Sequence, residues 1–105
     1  MWIFTSKSFV SVVLDLNDPS RRLVRARFAG DIEELFPDAV VREGEGTDYR
    51  YRASVPAEEV AQRLADYVRQ IEYGNFKDSL PPDHWDRHAA YMEVWQTMYA
   101  YQKKG

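Results

Sequence analysis

The sequence predicts an α+β domain in which two C-terminal helices and one short helix pack on one face of an antiparallel sheet, leaving the other face partly open. Two observations carry this expectation. Up to Val55 the apolar residues recur with a period of two, in short β-branched and aromatic runs separated by turn residues; from Pro56 onward the period becomes that of a helix. An element order of ββ-β-α-ββ-α-α then favours strands that pair antiparallel, with helices gathered on one side. At 105 residues the chain forms one domain, with enough length for a single core.

"WIFTSKSFVSVVLDL" reads as a strand, a tight turn at "TSKS" and a second strand. "LNDPSRR" is a turn, because Pro19 fixes φ and Asp18 can bond the backbone ahead of it. In "LVRARFA", Val24, Ala26 and Phe28 alternate with Leu23, Arg25 and Arg27, so the two sets take opposite faces. Asp31 is positioned to cap a short helix, Glu33 and Glu34 suit its positive end, and Pro37 ends it. "AVVRE" and "YRYRASV" flank the glycine-bearing "GEGTD" and form a hairpin. There Tyr49, Tyr51, Ala53 and Val55 share one face, and Arg50, Arg52 and Ser54 the other.

"PAEEVAQRLADYVRQIEY" starts with Pro and two glutamates, as helix N-termini do. Val60, Leu64, Tyr67, Val68 and Ile71 form its apolar stripe, and Gly74 is positioned to terminate it. After the connection "GNFKDSLPP", Asp83 and Asp86 resemble a capping box for a last helix reaching about Gln102.

Composition narrows the function classes. A formal net charge of −3 gives no case for nucleic-acid binding by the whole surface, so such a function needs a local basic patch. The absence of cysteine removes disulfides, thiolate metal sites and cysteine nucleophiles. No apolar run approaches the roughly 20 residues of a membrane span, and the apolar start lacks the basic flank of a signal peptide. A cytoplasmic protein without a membrane partner is expected. No Gly-x-Ser-x-Gly elbow is present, and no Walker lysine follows "GEGTD".

Two constellations remain. His84 and His88 stand four apart on the last helix, within an arc that also holds Trp85, Tyr91, Met92, Trp95, Met98 and Tyr99. That spacing can grip a metal, but no third ligand is evident, and Trp85 stands where a zinc-protease motif carries glutamate. The arc points the pair toward a core or a cleft, and packing is the expected role. The second constellation is Arg25, Arg27, Arg50 and Arg52, with Arg42 alongside. Four guanidiniums on adjacent strands repel one another. Asp15, Glu43, Glu45 and Asp48 can offset this locally, and an external anion can do so instead. Alternation turns Tyr49 and Tyr51 away from Arg50 and Arg52, which argues against an aromatic stacking platform beside the arginines.

Taken as a set, "MWIFT…FVSVV", "LVRARFAGDIEELFP", "DYRYRASVP", "YGNFKD" and "AYMEVWQTM" resemble an uncharacterised family of small bacterial proteins, over nearly the whole chain. The resemblance implies a bacterial or phage-related cytosolic protein and brings no activity or functional residues.

The function expected from sequence is a small non-enzymatic binding or regulatory module. It would meet a protein partner, or a second copy of itself, through the face bearing Arg25, Arg27, Arg50 and Arg52 or through the Trp-bearing last helix, where Val94 and Tyr101 lie off the main apolar arc. One alternative is nucleic-acid or phosphate-ligand binding through the same arginines. Another is a small enzyme or metal site using His84 and His88. No cofactor is called for.

Overall fold

A computed structural model describes every residue of the chain except Glu45 and Thr47. It divides into two compact units, Met1–Glu72 and Tyr73–Gly105. The first unit is an α+β fold built on a five-stranded antiparallel sheet. Its strands are β1 (Trp2–Phe4), β2 (Phe9–Leu14), β3 (Arg21–Ala26), β4 (Arg42–Glu43) and β5 (Tyr51–Pro56), in the spatial order β1-β2-β3-β5-β4.

The turns are made by the residues that announce them. At "TSKS" the Thr5 hydroxyl oxygen accepts from the Ser8 and Lys7 amides at 3.0 and 3.3 Å, closing β1 onto β2. Between β2 and β3, Asp15 Oδ1 accepts from the Asn17 amide and Asp18 Oδ1 from the Ser20 amide, at 2.9 and 3.0 Å. Pro19 sits inside the second of these aspartate-centred turns.

Two helices cover one face of this sheet: α1 (Asp31–Leu35) and α2 (Ala57–Arg69). Val10, Val12, Val24, Ala26, Ala53 and Val55 point to them from the strands and meet Ile32, Leu35, Phe36 and Val60 in one buried cluster. The alternation in the sequence therefore places the core correctly, save at the strand ends. Phe28 is 64% exposed because β3 stops at Ala26, two residues earlier. Val68 and Ile71 are likewise exposed, one at the last turn of α2 and one beyond it.

The helix ends also differ from expectation. Asp31 does not cap α1. Gly30, with φ at 91°, is the N-cap, and Asp31 is the first helical residue, almost fully buried. Its Oδ2 instead accepts from the Phe9 amide at 3.0 Å, tying the helix to the start of β2. At the other end of α1, Arg63 Nε donates to the Leu35 carbonyl at 2.8 Å and the Tyr67 hydroxyl donates to that of Glu34 at 3.0 Å. The carbonyls a short helix leaves open are thus satisfied by α2, and burial pushes the Tyr67 hydroxyl pKa up. Helix α2 ends at Arg69 with Gln70 as its C-cap, four residues before Gly74, so that glycine does not terminate it.

The second unit holds a short 3₁₀ turn, Phe76–Ser79, and a long helix α3, Trp85–Lys104. Asn75 caps the 3₁₀ turn through its side chain, and Phe76 stacks on Tyr91 of α3 with ring centres 5.9 Å apart. The capping box does not form: His84 is the N-cap of α3, and Asp86 Oδ1 accepts from its neighbour, the Arg87 amide. No helix among the described residues is long and apolar enough to cross a membrane.

Candidate functional site: the arginine face of the sheet

The side of the sheet opposite α1 and α2 carries the other half of each alternating strand. Register lines up one row across all five strands: Trp2 opposite Ser11, Ser11 opposite Arg25, Arg25 opposite Arg52, and Arg52 opposite Arg42. Three of the five positions are arginines, on adjacent strands. This comes from the period of two in each strand together with antiparallel pairing, which brings "RAR" and "RYR" side by side.

Arg27 and Arg50 flank the row just past the strand ends, and both are paired locally. Arg27 meets Asp48 at 3.2 Å, and that carboxylate holds its pKa above the ordinary guanidinium value. Arg50 meets Glu43 at 2.9 Å. Both pairs are well exposed, so each contributes no more than about 1 kcal/mol. Asp15 does not turn to any of the four arginines singled out. Its Oδ2 accepts from the Ser54 hydroxyl at 2.6 Å, while Arg21 Nε donates to the same Ser54 oxygen at 2.7 Å. The Ser54 hydrogen bond is the leading cause that holds the Asp15 carboxyl below its ordinary pKa. Glu45, the remaining candidate counter-ion, lies outside the described residues.

That leaves the two central arginines. Arg25 donates to the Ser11 hydroxyl at 2.9 Å and makes no ion pair among the described residues. Arg52 makes neither a hydrogen bond nor an ion pair among them. The Nε of each is buried without a hydrogen-bond partner. A buried unpaired donor costs about 1–3 kcal/mol, and like charges directly opposite on neighbouring strands are destabilising as well. The register thus sets two like charges face to face with no counter-ion among the described residues.

Tyr49 corrects the expectation about aromatics. It lies before the first residue of β5, outside the strict alternation, and its ring turns to the arginine side. Arg27 lies over that ring at 4.3 Å and Arg25 at 4.6 Å. Tyr49 is buried, so it works as a cation–π support that fixes two guanidiniums in place. Exposed aromatic area comes from elsewhere on the same face. Trp2, 69% exposed, meets Phe9 edge-on at 6.2 Å, and Phe9 stacks on Phe4 at 4.4 Å. The sequence analysis gave these three no role. The signal was present: pairing β1 with β2 puts Trp2, Phe4, Phe9 and Ser11 on one face, and Ser11 shares its row with Arg25.

The histidine pair is not buried. His84 and His88 are both exposed, and neither imidazole makes a hydrogen bond or ion pair among the described residues. Within the unit Tyr73–Gly105, then, neither histidine packs into a core. The arc on which they lie is itself solvent-facing in large part, with Trp85, Trp95, Met98 and Tyr99 all exposed. No group of three or more His, Asp or Glu side chains among the described residues is arranged to hold a metal ion. Comparison with known proteins returned no match: no family model, curated protein or solved structure aligns with this chain.

Proposed function

We propose that this chain is a non-enzymatic binding module whose arginine-bearing sheet face receives an anionic group of a macromolecular partner. One observation carries the reading. Arg25 and Arg52 stand opposite each other in register, half-buried, with no carboxylate among the described residues to neutralise either. An anion between or beside them offsets their repulsion and engages planar donor forks suited to phosphate and carboxylate oxygens. The Arg25 fork is also held in advance, since Ser11 and Tyr49 fix it. Less side-chain freedom is then lost on binding.

Charge distribution supports the same face. The net charge of −3 is an average over unlike sides. Glu33, Glu34, Glu58 and Glu59 lie on α1 and α2, across the sheet from Arg25, Arg42 and Arg52. A local basic surface therefore exists on an acidic protein, and it steers anions to one side.

The test is thermal unfolding in the presence of inorganic phosphate and pyrophosphate at low ionic strength. The expected result is a concentration-dependent rise in Tm for wild type that is lost in Arg52→Met. An equal rise in the variant would contradict the reading.

A second reading concerns protein contact through α3. Trp95 stacks on Tyr99 at 5.3 Å with the rings nearly parallel, and Met98 and Tyr101 lie beside them on α3, all four exposed. An apolar strip of this kind suits self-association or a protein partner. Sedimentation velocity of wild type and of Trp95→Ala tests it: association that persists unchanged in the variant would remove α3 from consideration.

A further inference from the structure

We infer that the ligand of this face is a single strand of nucleic acid lying across the sheet, with phosphates on Arg25 and Arg52 and bases against the Trp2, Phe4 and Phe9 edge. This rests on the anion-binding reading above and goes beyond it by naming the ligand class.

The face offers two kinds of recognition in one row. From Trp2 to Arg42 the row crosses four inter-strand gaps of about 4.8 Å, or roughly 19 Å in all. Open antiparallel sheets of comparable width seat two or three stacked bases. At one end stand planar aromatic rings and at the centre planar cations, with Ser11 between. A ligand that alternates flat rings with phosphates satisfies both ends. An acidic protein segment satisfies only the arginines and leaves the exposed Trp2 indole without a matching group.

One ring of the aromatic edge is open to a base. Trp2 keeps most of its area in solvent and is braced edge-on, at 83°, by Phe9, whose own ring is packed against Phe4. Bases stack on such rings with little regard to identity, because each has a π-face. Around this row the face is poor in groups that read base edges: Ser11 already accepts from Arg25, and Ser54 bridges Asp15 and Arg21. Binding is therefore expected to be weakly sequence-dependent. On this face the strands present no helix or ribbon to enter a duplex groove, which favours single strands over duplex.

Fluorescence anisotropy tests this with four probes: labelled oligothymidylate, labelled oligouridylate, a labelled mixed-sequence duplex and a labelled oligoglutamate peptide. Wild type is expected to bind both single strands more tightly than the duplex or the peptide. Two or three phosphate contacts give a slope of log affinity against log salt of about −1.4 to −2.1. Arg52→Met should reduce that slope by about 0.7. Trp2→Ala should weaken binding about five-fold or more through loss of one stacked base. Both residues leave the buried cluster untouched, so circular dichroism should report folded variants.

Other outcomes separate the two levels. If the oligonucleotides fail to bind while oligoglutamate or pyrophosphate binds in an Arg52-dependent way, the anion site stands and the nucleic-acid inference falls. If single strands bind but Trp2→Ala changes nothing, the stacking geometry is wrong and the inference again falls. If none of the anions binds, both readings fall together.

Discussion

Replacing Arg52 by methionine should make the free protein more stable. The stem of the side chain is kept while the charge and the buried Nε donor are removed. Two like-charge neighbours act on Arg52 in register, Arg25 and Arg42. Each such cross-strand contact is worth about 0.2–1 kcal/mol, with Arg42 at the low end because it is exposed. Relief of the unpaired Nε is worth about 1–3 kcal/mol at full burial, and less here because the residue as a whole is only half-buried. Lost contacts of the outer guanidinium offset part of this gain. A net stabilisation of about 1–2 kcal/mol is expected, corresponding to a rise in Tm of roughly 4–15 °C for a domain of this size. Urea denaturation provides the assay: the midpoint should rise at an unchanged m-value. Added salt should raise the stability of wild type more than that of the variant, because it screens the repulsion that only wild type carries. Destabilisation by more than about 1 kcal/mol would show that Arg52 is a structural residue, and the reasoning that makes it a ligand site would fail.

Four further outcomes follow from the packing. Asp31→Ala removes the acceptor of the Phe9 amide from a nearly fully buried position, and should cost about 1–3 kcal/mol in chemical denaturation. Phe36→Ala should cost about 3–5 kcal/mol, since that ring is fully buried, while Phe28→Ala should stay within about 0.5 kcal/mol despite its identical chemistry. The Asp15 carboxyl is held low chiefly by Ser54, so the stability it contributes is present above the unfolded-state pKa and is lost as pH falls through its lower folded value. Ser54→Ala should move that carboxyl back toward the ordinary value of 3.8, which a side-chain carboxyl titration by NMR would read directly. His84→Ala and His88→Ala should each change stability by less than about 0.5 kcal/mol in thermal melts, as expected of exposed residues.

The layout of the fold was legible in the sequence wherever one rule governed a residue. Val24, Ala26, Ala53 and Val55 fell on the buried face by alternation alone, and Thr5, Asp15 and Asp18 made turns through their own side chains. Errors gathered where an element ends and its period no longer applies. Phe28 and Tyr49 each sit two residues past a strand end, and both left the face that alternation assigned them. Asp31 has the right chemistry for a cap, but a glycine in the left-handed region took that place, freeing the carboxylate for a contact 22 residues away in the chain.

The candidate site was legible only in part, for a different reason. Alternation gave the faces of Arg25 and Arg52 correctly, but whether two strands are neighbours is set by long-range pairing. The adjacency of β3 and β5, and hence the opposition of these two arginines, could not be read from either strand. The same holds for Trp2, Phe4 and Phe9, whose place on the face of Ser11 and Arg25 depends on the pairing of β1, β2 and β3. The histidines misled because an apolar arc on a helix predicts burial, whereas much of the arc of α3 is exposed.

The Arg25–Arg52 pair as a seat for phosphate is tested most directly by following the arginine Nε–Hε resonances during a titration with short oligothymidylate. The expected result is that the Arg25 and Arg52 signals shift together, saturate at one strand per chain, and move well beyond the salt-bridged Arg27 and Arg50. Binding that leaves Arg25 and Arg52 unmoved, or no binding at low ionic strength, would contradict it.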